Sequence, residues 1–153
     1  MTGEFVKRGG VWVVGQVVLM LLNFAGPLWH RAQPGFLLTL CSMFSLGVAA
    51  ACGIFGAATL GRNLTPFPHP ASGAHLVQSG IYGLMRHPLY TAVMAWAIGW
   101  ALLWLSWPAF VAGLLLLPLL NAKARMEERW LREQFPEYAV YERRVRRFLP
   151  WIY

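Results

Sequence analysis

Three long uncharged stretches constrain the fold of this chain more than any other feature. They cover residues 11–29, 36–60 and 89–107, and each is close to or longer than the ~20 apolar residues that cross a bilayer core. Hydrophobic residues make up 58% of the chain and charged residues only 12%, against about 25% in soluble domains. The sequence therefore predicts an all-α integral membrane protein.

A fourth apolar stretch, residues 109–121, is shorter and contains Pro118. It reaches across a bilayer only if its helix continues through Lys123 and Arg125, with their long side chains snorkelling to the surface. We therefore predict about four transmembrane helices. The charged, amphipathic residues 122–153 are predicted to form a cytoplasmic C-terminal helical cap against the bilayer. We expect the whole chain, residues 1–153, to be a single domain.

Residues 61–88 differ in composition from the apolar stretches on either side. Prolines at positions 66, 68 and 70 exclude a regular helix there. A long irregular loop in a small protein is typical of a functional segment. We therefore predict a cytoplasmic loop that contributes to a binding site.

The positions of the basic residues predict the topology. With four spans, every Lys and Arg except Arg31 falls on the same side of the membrane. The positive-inside rule then predicts a multi-pass protein with both termini in the cytoplasm, in the inner membrane if the cell is bacterial. The net charge is +7, and the basic residues flank apolar runs. This pattern favours anionic lipids as partners rather than nucleic acid.

The sequence lacks the motifs of several common cofactor and metal sites. The sequence contains no glycine-rich dinucleotide motif, no Walker loop and no His-Glu-x-x-His motif. The four histidines lack the spacing of a metal site, so we predict no bound metal. Any cofactor is expected to bind at the helix ends and cytoplasmic loops.

Two polar elements stand at the cytoplasmic ends of neighbouring spans. Arg86 and His87 precede the third long stretch, where a helix N-terminus favours a carboxylate or a phosphate. Glu127 and Glu128 follow the fourth stretch. Because a short turn joins the two helices, they are antiparallel neighbours, and the two elements come together. Such a pocket suits a zwitterionic cofactor, although lipid binding by Arg86 and an ordinary Glu128–Arg132 helix pair are alternatives.

The chain resembles the isoprenylcysteine carboxyl methyltransferase and phospholipid methyltransferase group of integral membrane enzymes. The most specific element is Arg-His-Pro-x-Tyr at 86–90 combined with Glu-Glu at 127–128. Further matching segments are 60–66, 76–77, 79–82, 123–131, 135–138 and 147–150.

This resemblance implies S-adenosylmethionine as the cofactor, bound between those two elements. The implied cofactor-binding residues are Val77, Gly80, Ile81, Tyr82, His87, Pro88, Tyr90, Glu127, Glu128 and Leu131. One of the two glutamates would hold the ribose hydroxyls or the amino group. The implied catalytic candidates are His87, Arg86 and Arg125, the last as a group that orients an anionic substrate.

The sequence thus favours an S-adenosylmethionine-dependent methyltransferase whose lipophilic acceptor enters from the bilayer. The acceptor could be the carboxylate of a prenylcysteine-like compound, a lipid amine or a small thiol. Two alternatives remain open: a non-enzymatic membrane module that binds anionic lipid or a partner protein, and a membrane enzyme of the sterol-reductase type.

Overall fold

The structure, a computed structural model, describes residues 2–69, 73 and 75–152. Residues 70–72 and 74 of the predicted loop and residue 153 of the predicted cap lie outside the described part. Six α-helices follow one another along the chain: α1 (Thr2–Lys7), α2 (Gly10–Trp29), α3 (Phe36–Leu60), α4 (Pro88–Leu103), α5 (Trp107–Gln134) and α6 (Tyr138–Arg144). Short 3₁₀ turns lie at Gly61–Asn63 and Gly80–Gly83.

The described regular structure is helical and confirms the predicted fold class. Three helices, α2, α3 and α5, are long and apolar enough to cross a membrane. Helix α4 is apolar but has only 16 residues, which gives a length of about 24 Å. Pro88 occupies its first turn, where a proline is best tolerated. The helix stops at Leu103 because Leu105 has a positive φ of 43°, and Ser106 caps the start of α5.

Helix α5 continues through Lys123 and Arg125, the condition under which the fourth stretch was predicted to cross a bilayer. It passes the predicted boundary between span and cap at residue 122 without a break. The helix continues unbroken for 28 residues to Gln134. Residues 122–134 contain good helix formers such as Ala, Lys, Arg, Met and Glu and no proline or glycine. The change from apolar to charged composition therefore changes the helix surface and leaves its backbone intact.

The last part of the predicted helical cap is not helical in the structure. Tyr138, Tyr141, Val145 and Phe148 recur at helical spacing, but α6 ends at Arg144 and Val145 is extended. The backbone then forms an isolated parallel bridge between Met85 and Arg146. We call residues 145–148 the C-terminal strap, because their backbone lies against the residues that precede α4.

The spatial order of the four apolar helices differs from their order in the chain. Helix α3 packs along α4, α4 packs on α5, and α5 packs on α2. Ser42 donates a hydrogen bond from Oγ to the carbonyl of Gly99, at 2.8 Å, between α3 and α4. Asn23 of α2 donates from Nδ2 to the carbonyls of Ala97 and Ala109, at 3.2 and 2.7 Å. These buried polar contacts fix α2 against both α4 and α5.

The closest helix contact yields a stability prediction. A Cβ atom at Gly26 would lie 2.5 Å from the backbone nitrogen of Ala109. We expect Gly26→Ala to force α2 away from α5 and to lower the free energy of unfolding by about 1–3 kcal/mol. Gly47→Ala is the control, because a Cβ atom there meets nothing within 4 Å. Thermal unfolding of both variants in one detergent tests this, and equal melting temperatures would contradict it.

Candidate functional site

A cavity of about 110 Å³ lies where the ends of α3 and α4 meet α5, α6 and the loop. Its wall includes seven of the residues predicted from the sequence: Val77, Tyr82, Arg86, His87, Tyr90, Glu127 and Leu131. The other part of the wall is mainly apolar and aromatic: Leu60, Asn63, Thr65, Phe67, Pro68, His75, Leu76, Leu89, Phe135, Tyr138 and Tyr141. The structure therefore brings the two predicted elements to one cavity.

The remaining predicted residues lie behind or outside this wall. Gly80 begins the 3₁₀ turn with a φ of 58°, and Ile81 follows it, half-buried. Pro88 is buried in the first turn of α4. These three residues shape the backbone that presents Tyr82 and His87. Arg125, in contrast, is exposed on α5 and is not part of the wall.

Glu128 is the centre of a buried ion-pair cluster and is only 1% exposed. Arg147 donates to both of its oxygens, from Nε to Oε1 at 2.9 Å and from Nη2 to Oε2 at 2.7 Å. Arg86 Nη1 and His87 Nε2 lie 3.2 and 3.1 Å from Oε1. Protein groups therefore occupy both carboxylate oxygens. The expected Glu128–Arg132 helix pair is present at 3.8 Å, but it is the longest of these contacts.

Glu127 has a different environment one residue earlier. Its side chain is 27% exposed and forms part of the cavity wall. Tyr90 donates a short hydrogen bond from its hydroxyl to Oε2, at 2.6 Å, and His87 Nδ1 lies 3.8 Å from the same oxygen. The rings of His87 and Tyr90 stack in parallel with their centroids 5.1 Å apart. Glu127 is thus the carboxylate that faces the cavity.

Arg86 carries a buried donor that has no partner among the described residues. Its Nη1 contacts Glu128, Glu142 and the hydroxyl of Tyr138 at 3.2–3.5 Å. Its Nε is buried and makes no hydrogen bond to the described part of the protein. Arg86 also lines the cavity, so its guanidinium gives this part of the wall a positive charge.

The N-terminus of α4 has fewer free backbone N–H groups for binding an anion than its sequence predicts. The backbone N–H groups of Arg86 and His87 donate to the carbonyls of Arg146 and Arg147 in the C-terminal strap, at 2.8 and 3.0 Å, and Pro88 has no N–H. The expectation that free N–H groups hold an anion here is therefore wrong for Arg86 and His87. The guanidinium of Arg86 is the better anion-binding group.

Three buried tyrosines complete the polar surroundings. Burial raises the pKa of Tyr82, Tyr138 and Tyr141 above the ordinary tyrosine value, so each phenol remains protonated and can donate. Tyr141 donates from its hydroxyl to the carbonyl of Tyr82 at 2.6 Å. Three hydrogen bonds from Arg132 lower the pKa of the Glu142 carboxyl group. Hydrogen bonds therefore hold Tyr141 and Glu142 in place beside the cavity.

Sequence reasoning missed Arg147, which pairs with Glu128, and the strap that carries it. The Arg-Phe-Leu-Pro segment at 147–150 belongs to the resemblance, and this was the one signal that pointed to it. Arg147 also donates from Nη1 to Oδ1 of Asn121 at 3.0 Å. It therefore connects the strap to two positions on α5.

Comparison with known proteins finds one matching family and several relatives. The family described as "Phospholipid methyltransferase" matches residues 34–138, which include nearly the whole cavity wall. The cobalt-zinc-cadmium resistance protein CzcN of Cupriavidus metallidurans is 32% identical over 147 residues, covering 94% of this chain and 63% of that protein.

Two further relatives carry methyltransferase names. The protein-S-isoprenylcysteine O-methyltransferase of Saccharomyces cerevisiae is 37% identical over 79 residues, covering 50% of this chain and 33% of that protein. A probable protein-S-isoprenylcysteine O-methyltransferase of Oryza sativa subsp. indica is 35% identical over 100 residues, covering 61% and 51%. The chain spans less than two thirds of the length of each of these relatives. The match over residues 34–138, together with the helical membrane fold, shows that the chain belongs to the phospholipid methyltransferase family.

Proposed function

We propose that this protein is a membrane methyltransferase that uses S-adenosylmethionine to methylate a lipophilic acceptor. The observation that carries the proposal is the cavity wall, which combines the guanidinium of Arg86 with the partly exposed carboxylate of Glu127. A cation and an anion on one wall, next to aromatic rings, match a zwitterionic cofactor with an adenine ring. The family match supports the same conclusion.

The residues of the cavity fit the chemical groups of this cofactor. Arg86 would bind the methionine carboxylate, since charge-assisted hydrogen bonds from arginine to carboxylates are among the strongest in proteins. Glu127 would accept hydrogen bonds from the amino group or the ribose hydroxyls. Phe67, Tyr82 and Leu131 provide apolar surface for the adenine ring. When bound, the cofactor supplies an activated methyl group on a sulfonium, transferable by in-line displacement.

The main contribution of the protein is to hold and orient the reactants, which can lower a barrier by several kcal/mol. Glu128 and its cationic neighbours fix the side chains of Arg86 and His87, and the strap fixes their backbone. The stacked His87–Tyr90 pair and the hydrogen bond from Tyr90 hold Glu127 in position. The apolar wall excludes water from the reacting groups.

His87 is also placed to accept a proton. If Nε2 donates to Glu128 at 3.1 Å, Nδ1 carries the lone pair on the side of Glu127. A carboxylate or thiolate acceptor needs no base, whereas an amine must lose a proton to become nucleophilic. His87 Nδ1 or Glu127 could receive it. The names of the relatives include an isoprenylcysteine O-methyltransferase, so a carboxylate acceptor belongs in any substrate panel.

We further propose a multi-pass topology in which the cavity opens towards the cytoplasm. The basic residues of α5 and α6 would then face anionic lipids at that surface. The acceptor would reach the cavity from the bilayer, and the cofactor from the cytoplasm. This separation suits a reaction between a lipophilic and a water-soluble substrate.

We expect purified protein in detergent or nanodiscs to bind S-adenosylhomocysteine with one site per chain. Isothermal titration calorimetry measures this binding, and transfer of a labelled methyl group to lipid, prenylcysteine and thiol panels identifies the acceptor. Absence of binding at millimolar ligand would contradict the proposal. Nicotinamide cofactor binding in its place would favour the reductase alternative, and binding of neither would favour a non-enzymatic lipid-binding module.

A further inference from the structure

Lys123 is a buried cation beside the cavity. It is 3% exposed in the middle of α5, and its Nζ donates to Oε1 of Gln16 at 2.7 Å and to the carbonyl of Pro66 at 3.2 Å. Both acceptors are neutral. Within the described part of the chain, no carboxylate forms an ion pair with Lys123. Its positive charge is therefore not compensated by a direct contact with an anion.

A lysine is a costly choice for a purely structural contact at this position. Burial of an ammonium group carries a large desolvation penalty unless an anion and hydrogen bonds compensate for the lost hydration. An uncharged amide could connect α5 to Gln16 and Pro66 at lower cost. The ammonium also has three N–H donors, and protein groups accept from two directions. An anionic partner would compensate for this cost better than the two neutral acceptors do.

Lys123 is next to the cavity but is not among the residues that form its wall. Its Nζ lies 5.1 Å from the ring centroid of Tyr90, which forms part of the cavity wall and bonds to Glu127. Pro66 stands between Thr65 and Phe67, which also line the cavity. On the other side, Gln16 belongs to α2, whose neighbouring side chains are apolar and exposed. Lys123 therefore lies between the cavity and a lipid-facing helix.

We propose that Lys123 binds the negatively charged headgroup of the lipophilic acceptor and so selects anionic acceptors. This inference rests on the proposed function and extends it by naming a substrate class and a specificity-determining residue. The shared chemistry of the headgroup is an oxyanion, either a carboxylate or a phosphate. A neutral molecule of the same chain length lacks the group that Lys123 recognises.

Binding of simple amphiphiles to the protein in nanodiscs tests the proposal. The probes are dodecanoate, dodecyl phosphate and dodecanol, titrated by calorimetry and corrected with empty nanodiscs. We expect Lys123→Met to weaken binding of at least one of the two anions by about tenfold or more, since hydrogen bonds to charged groups contribute on that scale. Binding of dodecanol should not change. Which anion is affected distinguishes a carboxylate from a phosphate headgroup.

Matched variants separate recognition from structural support. Arg129→Met removes a charge from the exposed surface of α5 and should leave anion binding unchanged. Gln16→Met removes a contact of Lys123 but keeps the charge, so it should retain the preference for anions. If Lys123→Met does not fold, Lys123→Gln removes the charge but keeps a hydrogen-bond donor. Equal anion binding by wild type and the neutral variant would overturn the proposal.

Binding of S-adenosylhomocysteine is measured in parallel on the same samples. We expect Lys123→Met to leave its affinity unchanged, because Arg86 is the proposed partner of the cofactor carboxylate. An equal loss of S-adenosylhomocysteine and anion binding would assign Lys123 to the cofactor and overturn the acceptor proposal. If wild type fails to bind S-adenosylhomocysteine, the proposed function fails, while the amphiphile titrations still decide whether Lys123 binds anions.

Discussion

Glu128→Ala is expected to lower the free energy of unfolding by about 3–5 kcal/mol, the usual cost of removing one partner from a buried ion pair. The carboxylate is 1% exposed, and its removal leaves Arg86 and Arg147 without their closest counter-charge. The strap and the start of α4 should both loosen. Thermal unfolding of the detergent-purified protein, followed by tryptophan fluorescence, measures the loss.

Two comparisons sharpen this prediction. Glu133→Ala removes an exposed carboxylate from the same helix and should change stability little. Arg147→Ala removes the partner that bonds both oxygens of Glu128, so the double variant should lose less than the sum of the single losses. If Glu128→Ala and Glu133→Ala unfold at the same temperature, the ion-pair cluster does not stabilise the fold.

Glu127→Gln is expected to weaken S-adenosylhomocysteine binding by about 10–100-fold, as a hydrogen bond to a charged group contributes about 1.5–3 kcal/mol. The carboxylate lines the cavity and is partly exposed, so the protein itself does not require its charge. The amide keeps the size of the side chain and can still accept from Tyr90. Calorimetry measures the affinity, and melting temperature should remain close to that of wild type.

The control for this variant is Glu133→Gln, an exposed glutamate outside the cavity wall. It should bind S-adenosylhomocysteine like wild type. Unchanged affinity in Glu127→Gln would mean that Glu127 does not contact the cofactor. A large loss of stability in Glu127→Gln would show that the charge of Glu127 supports the fold.

Much of the fold could be predicted, because long apolar helices appear in the sequence as long runs without charged residues. The first two predicted spans, residues 11–29 and 36–60, agree with α2 and α3 within one residue. The limits of α4 and α5 could not be predicted as well. The end of α4 depends on the backbone at Leu105 and the cap at Ser106, which hydropathy does not report.

The site could be predicted in part. A short turn between α4 and α5 requires the helices to be antiparallel, and this brings Arg86 and His87 close to the paired glutamates. The different environments of Glu127 and Glu128 could not be predicted, because adjacent residues on a helix point in different directions. From sequence they were expected to serve one pocket. The structure pairs Glu128 with Arg147 and leaves Glu127 facing the cavity.

The partners of Lys123 and Arg147 were also beyond sequence reasoning. Gln16 lies 107 positions from Lys123, and nothing in either local pattern indicates the contact. Arg147 belongs to a segment whose residues repeat at helical spacing, yet its backbone is not helical, and its carbonyl accepts from the N–H of His87. Tertiary hydrogen bonding overrides the periodicity there.

The spatial order of the helices has a consequence for assembly in the bilayer. Helices α3 and α4 are consecutive apolar helices that pack together, so they can associate as soon as both have been inserted. Helix α2 is made first but rests on α4 and α5, and its Asn23 contacts are with residues 74 and 86 positions further along. In the proposed multi-pass topology, the packing of α2 is therefore complete only after α5 has been inserted. We expect these distant contacts to make docking of α2 the late and slow step of folding.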